Sequence, residues 1–118
     1  MMGPHKNLLV WQKSIELTTE IYRVTKLFPR DELFGLVSQM RRAAVSIPSN
    51  IAEGYGRSTN ADVIHFLYIS LGSSNELDTQ LIISKNENYL SAEDFHIIDN
   101  LNTEVNKMLL SLIYKRSN

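Results

Sequence analysis

The stretch QMRRAAVSIPSNIAEGYGR, residues 39–57, decides how this chain is read. Wound as a helix, it sorts into two stripes. Gln39, Arg42, Ser46, Asn50, Glu53 and Arg57 recur every three or four residues, inside an arc of about 80°. Leu36, Met40, Ala43, Ala44, Ile47, Ile51 and Gly54 lie about 100° round from them. The apolar stripe is an ordinary core face. The polar one runs along its edge as a continuous seam. Groups that close to a core need hydrogen-bond partners, so the seam is expected to be partly buried and held in a network. On that reading Glu53→Ala strands a buried arginine and costs roughly 3–5 kcal/mol.

Outward from this stretch, three more helices account for nearly all of the chain. Trp11, Ile15, Thr18 and Tyr22 share one side of a helix over 8–27, with Val10, Leu17, Ile21, Val24 and Phe28 beside them. That apolar side is wider than one helix partner requires. Pro29 ends it. Asp31 and Glu32 suit the start of a second helix over 32–56, kinked at Pro48 because the ring removes one backbone bond to Ala44. Gly54 and Gly56 can end it with positive φ. Thr59 or Asn60 caps a third helix over 60–86, apolar almost all round in its first half, where Gly72, Ser73 and Ser74 allow close backbone approach. Ser91 and Asp94 resemble a capping box for a fourth helix over 92–114, on which Ile98, Leu101, Val105, Met108 and Leu112 form a narrow seam. Short connections make successive helices antiparallel neighbours. The fold class is therefore all-α: one domain, 1–118, folded as an up-down-up-down four-helix bundle.

Composition removes several classes. With 43% hydrophobic and 21% charged residues the chain is globular rather than disordered. It has no cysteine, which excludes disulfides and thiolate metal sites. The longest stretch without Asp, Glu, Lys or Arg, 63–75, is too short to span a bilayer, and no signal peptide opens the chain. A cytoplasmic location with no membrane partner is the expectation. Residues 1–58 carry eight Lys/Arg against five Asp/Glu, and residues 59–118 four against eight, so the halves are +3 and −4. They should attract within or between chains. RNA would have to be held by a local patch, for which Arg41, Arg57, Lys13 and Arg23 are the candidates.

No constellation for catalysis is complete. Asp62-Val63-Ile64-His65 is the one acid-x-x-His pair on a core-facing stretch, short of the set a dinuclear bundle site needs. No metal and no cofactor are expected. Glu53 and Glu76 are the carboxylates that could approach across helices two and three, which leaves a small-molecule site or an enzyme as the alternative function. Residues 54–60, GYGRSTN, could bind an anion at a helix start. A plain helix end and cap is the simpler reading. The surplus apolar surface of helices one and three predicts a homo-oligomer.

Together VWQKSIEL (10–17), FPRDELFGL (28–36), residues 39–57 and FLYISLGSSNEL (66–77) resemble the bacterial four-helix-bundle proteins encoded in intervening sequences of large-subunit rRNA genes. An accessory protein of diversity-generating retroelements is in the same family. The resemblance implies an antiparallel bundle assembled as a ring, a pentamer. It marks Gln39, Arg42, Ser46, Asn50, Glu53, Gly54, Arg57, Ser73 and Glu76 as the family's polar positions and small partners. It also implies contact with RNA or a ribonucleoprotein through a basic surface, from which this chain departs with a pI near 6.3 and an acidic second half. The reading is a non-enzymatic, oligomeric interaction module associated with RNA.

Overall fold

The computed structural model describes residues 3–118 and is helical almost throughout. After a short turn at Pro4–Asn7 come α1 (Leu9–Thr25), α2 (Ser38–Tyr55), α3 (Asn60–Asn86) and α4 (Ala92–Ser117). They pack as an antiparallel bundle 43 Å long and 25 by 21 Å across, each helix against its sequence neighbour and α1 against α4. The expected bundle is thus the fold. Leu17 and Ile21 from α1, Met40, Ile47 and Ile51 from α2, Leu67, Leu77 and Leu81 from α3, and Ile98 and Leu109 from α4 are wholly buried. Residue-by-residue contacts fix the antiparallel register. Ser73 meets Ser46 and Ser84 meets Met40 between α3 and α2, while Ser74 meets Asn102 and Asn60 meets Arg116 between α3 and α4.

Pro48 does not interrupt α2, whose helix runs through it. Its missing N–H leaves the Ala44 carbonyl without its usual donor. Thr18 on α1 supplies one in part: its single hydroxyl proton is shared between the Ser14 carbonyl of its own turn at 2.8 Å and the Ala44 oxygen at 3.1 Å. A defect inside one helix thereby becomes a bond between two.

The break in the second helical segment lies elsewhere. Residues Arg30–Glu32 form a tight turn and Leu33–Val37 a wide π-type turn before α2 begins. Gly35 has φ −109° and ψ −109°, outside the helical region. A Cβ there would come within 2.9 Å of a Glu32 carboxylate oxygen, the same oxygen that accepts the Leu36 N–H. The helix expected over 32–56 is therefore two pieces. The irregular turn leaves Leu33 half exposed and Phe34 92% exposed.

Four local expectations need correction. Gly54 and Gly56 do not take positive φ. Gly54 is buried inside α2, where a Cβ would meet Phe66 at 2.8 Å, so it serves helix contact rather than helix ending. Gly72 faces open space, and the close approach in α3 belongs to buried Ser70 and Ser74. On α4 the buried line is Ile98, Asn102, Val105, Leu109 and Ile113, with Leu101, Met108 and Leu112 half buried at its edge. Ser91 does cap α4, accepting the Asp94 N–H at 3.0 Å. The returning half of the capping box is absent, because the Asp94 carboxylate is taken by Arg23 at 2.8 Å.

Candidate functional site

The polar seam is built on α2 and joined to α3 at one point. Ser73 donates to the Ser46 hydroxyl at 2.8 Å. The Asn50 amide donates to that hydroxyl at 2.9 Å and to the Ser46 carbonyl at 2.8 Å. These three residues are half buried and form a small satisfied cluster. The rest of the seam is not the buried network its position suggested. Gln39, Arg42, Glu53, Arg57 and Glu76 are exposed. Glu53 and Arg57 pair with each other one turn apart on the surface. Arg42 reaches only the Ser38 hydroxyl, at 3.4 Å. An exposed pair of this kind contributes a few tenths of a kcal/mol, not the roughly 3–5 of a buried one.

Glu53 and Glu76 do not come together. The Ser46–Ser73 contact sets the register, and from it the two carboxylates lie in opposite directions, about 15 Å apart along the bundle. They cannot share a proton or flank a small substrate.

The four cationic candidates are also dispersed. Arg41 crosses to α1, where its Nε donates to the Thr25 hydroxyl at 3.0 Å and its guanidinium stacks on Tyr22. Lys13 lies between Glu16 and Glu104 on the α1/α4 side. Arg23 is held by Glu20 and Asp94, whose hydrogen bonds raise its pKa further. Arg57 sits at the far end of α2 against Phe66. Three of the four already face carboxylates, so one chain offers no continuous basic patch through them.

Segment 54–60 is a joint between helices. Thr59 accepts the Asp62 N–H at 3.2 Å and caps α3. Asn60 exchanges two hydrogen bonds with Arg116 at the end of α4, and Arg116 stacks over Tyr55. Its polar groups are used in the fold. Among the described residues no His, Asp and Glu cluster is disposed to hold a metal ion, and no helix is long and apolar enough to cross a membrane.

Two features escaped sequence reasoning. Asn102 is buried between α3 and α4, accepting from Ser74 at 2.8 Å and donating to the Ser74 carbonyl at 3.1 Å, with Asn106 donating to the Ser74 hydroxyl. Its position four residues after Ile98 was the available signal. The other is an open apolar groove of about 570 Å³ on the outside of α1 and α2, walled by Tyr22, Leu33, Phe34, Val37 and Val45.

The chain matches the 23S rRNA-intervening sequence protein description over residues 6–111. It belongs to that family. A crystal structure of a protein with unknown function from the S23 ribosomal protein family of Bacteroides thetaiotaomicron VPI-5482 is similar to it throughout. Identity is 32%, the match covers 90% of this chain and 96% of the other, and the TM-score is 0.83. The curated proteins searched include no match. The family match takes in α1, α2, α3 and most of α4, the seam included.

Proposed function

We propose that this chain is a non-enzymatic, cytoplasmic, homo-oligomeric module that works by contact with other macromolecules. One observation carries the reading. Large apolar side chains stand outside the bundle on every helix: Ile15 and Tyr22 on α1, Val45 on α2, Tyr68 and Ile69 on α3, Ile97 on α4, and Phe34 in the turn before α2. Isolated exposed hydrophobes are ordinary, but Tyr22, Val45 and Phe34 adjoin one another around a groove. A second copy of the chain is the partner that removes them from water. A cyclic ring, the pentamer implied by the resemblance, is the form we propose.

RNA association is the finer part of the proposal. A single copy holds the four candidate bases apart and pairs Lys13, Arg23 and Arg57 with carboxylates, so binding through them would depend on several copies adding small positive patches around a ring. Affinity for structured rRNA should then fall steeply with salt and vanish in a variant that cannot assemble. Light scattering at micromolar concentration tests the assembly: a particle several times 13.5 kDa is expected, and a 13.5 kDa particle removes the proposal. A gel shift with structured rRNA at low salt tests the second part, and no shift for the assembled protein removes it.

A further inference from the structure

The proposed oligomer leaves open which surfaces meet, and two grooves on the outside of the bundle differ in a way that answers this. The first is the apolar groove of about 570 Å³ on α1 and α2. Arg41 and Arg42 are the charged residues in its lining, and no acid is among them. Phe34 projects there with 92% of its surface exposed. The second, of about 490 Å³, lies between α1 and α4 and is lined by Ile15, Thr19, Ile97 and Leu101. Its charged residues are Glu16 and Glu20, and no base is among them.

We infer that these two grooves are the two halves of one head-to-tail contact between copies, with Phe34 of one copy seated against Ile15 and Ile97 of the next and Arg42 set against Glu16. The inference rests on the homo-oligomer proposed above and names the surfaces that build it. Each groove on its own is a poor partner for itself. A two-fold contact through the first would bring Arg41 and Arg42 against their own copies, and one through the second would oppose Glu16 and Glu20 to theirs. Joined to each other, both apolar linings are covered and the charges are complementary.

The charges needed are available. Arg41 is engaged by Tyr22 and Thr25, but Arg42 has only a long contact with Ser38. Glu20 is engaged by Arg23, but Glu16 has only Lys13 at 3.8 Å and a side chain 60% exposed. The geometry is also compatible with closure. In a square bundle the α1/α2 and α1/α4 sides face about 90° apart. A contact between unlike patches on faces about 90–110° apart closes after four or five copies when successive copies share one level, and grows as a filament when each copy rises along the bundle. α1, shared by both sides, would then line the inside of the ring.

The test uses full-length chains and sedimentation at micromolar concentration. Phe34→Asp should sediment as a single chain that still melts cooperatively, at a temperature that no longer depends on protein concentration, since Phe34 makes little contact within its own bundle. Arg42→Glu and Glu16→Arg should each weaken assembly about tenfold or more, and the two together in one chain should restore it. Mixing Phe34→Asp with Ile97→Arg should give a two-chain particle that grows no further, because each variant keeps the half the other lacks. A single-chain wild type would overturn the oligomer itself. A wild-type oligomer whose mass survives Phe34→Asp would overturn these surfaces and leave the oligomer standing. Single variants that dissociate without rescue by the charge exchange would overturn the acid-lined groove as the complement.

Discussion

The α3/α4 contact and the outer face of α1 and α2 are both made of mixed polar and apolar residues, yet they are finished to different degrees. Between α3 and α4, Ser74, Asn102 and Asn106 satisfy one another in the interior, and Asn60 and Arg116 close the end. On the outer face Phe34, Tyr22 and Val45 are exposed and Arg42 lacks a carboxylate. An interior polar group without a partner costs stability, and among the described residues Gln80 Oε1 on α3 is the one buried side-chain atom left without one. A surface can be left incomplete when something else is to complete it. The comparison therefore separates residues that hold the chain from residues that present it.

Substitutions can break that distinction, and the largest effect should fall inside. Asn102→Ala removes one side of the buried cluster, leaving the Ser74 hydroxyl without its acceptor and the Ser74 carbonyl without its side-chain donor, at a cost of about 2–3 kcal/mol in denaturant unfolding. Gly54→Val forces a side chain into the 2.8 Å approach to Phe66 and should cost about 1–3 kcal/mol, read by the same measurement. Next comes Thr18→Val, which leaves the Ala44 carbonyl with no donor and should cost about 1–2 kcal/mol. Pro48→Ala restores the helical donor, so in the double variant the Thr18 loss should shrink. On the outer side Glu53→Ala should change stability by no more than about 0.5 kcal/mol, since its pair with Arg57 is exposed. A loss of several kcal/mol there would move the seam into the interior class.

The smallest effect is a pH dependence in the turn. The Tyr89 hydroxyl donates to a Glu32 carboxylate oxygen at 3.2 Å. Desolvation first, and then that hydrogen bond, raise its pKa above the ordinary value. A group raised on folding supports the fold fully below its unfolded pKa and loses that support as pH rises through the folded one. The loss belongs above about pH 10. Melting temperature should therefore fall a little more steeply there for wild type than for Tyr89→Phe.

How far the sequence could be read follows from the same distinction. Helix number, order and the bounds of α3 came from apolar spacing and caps, because burial repeats with the helix period. Pro48 was correctly placed inside α2, but Thr18, the residue that completes it, is distant in sequence and has no local signature. The break at Gly35 was missed because the apolar pattern runs on through Leu33, Phe34 and Leu36, as it would in a helix. Of the candidate site, helical spacing puts Ser46 and Asn50 on one stripe, whereas the contact of Ser73 with Ser46 has no signal in either helix alone. Glu53 and Arg57 were assigned to the interior from angular position alone, which cannot say how far a bundle closes over its edge. The Glu53 and Glu76 pairing failed for want of a register between two helices.

The account stands on the exposed apolar face of α1 and α2 being a contact surface between copies. Its most direct measurement is analytical ultracentrifugation of wild type and Phe34→Asp side by side, with melting followed on the same samples. A multi-chain wild type whose melting depends on concentration, and a single-chain variant that melts cooperatively and independently of concentration, are predicted. A wild-type particle of 13.5 kDa would contradict it.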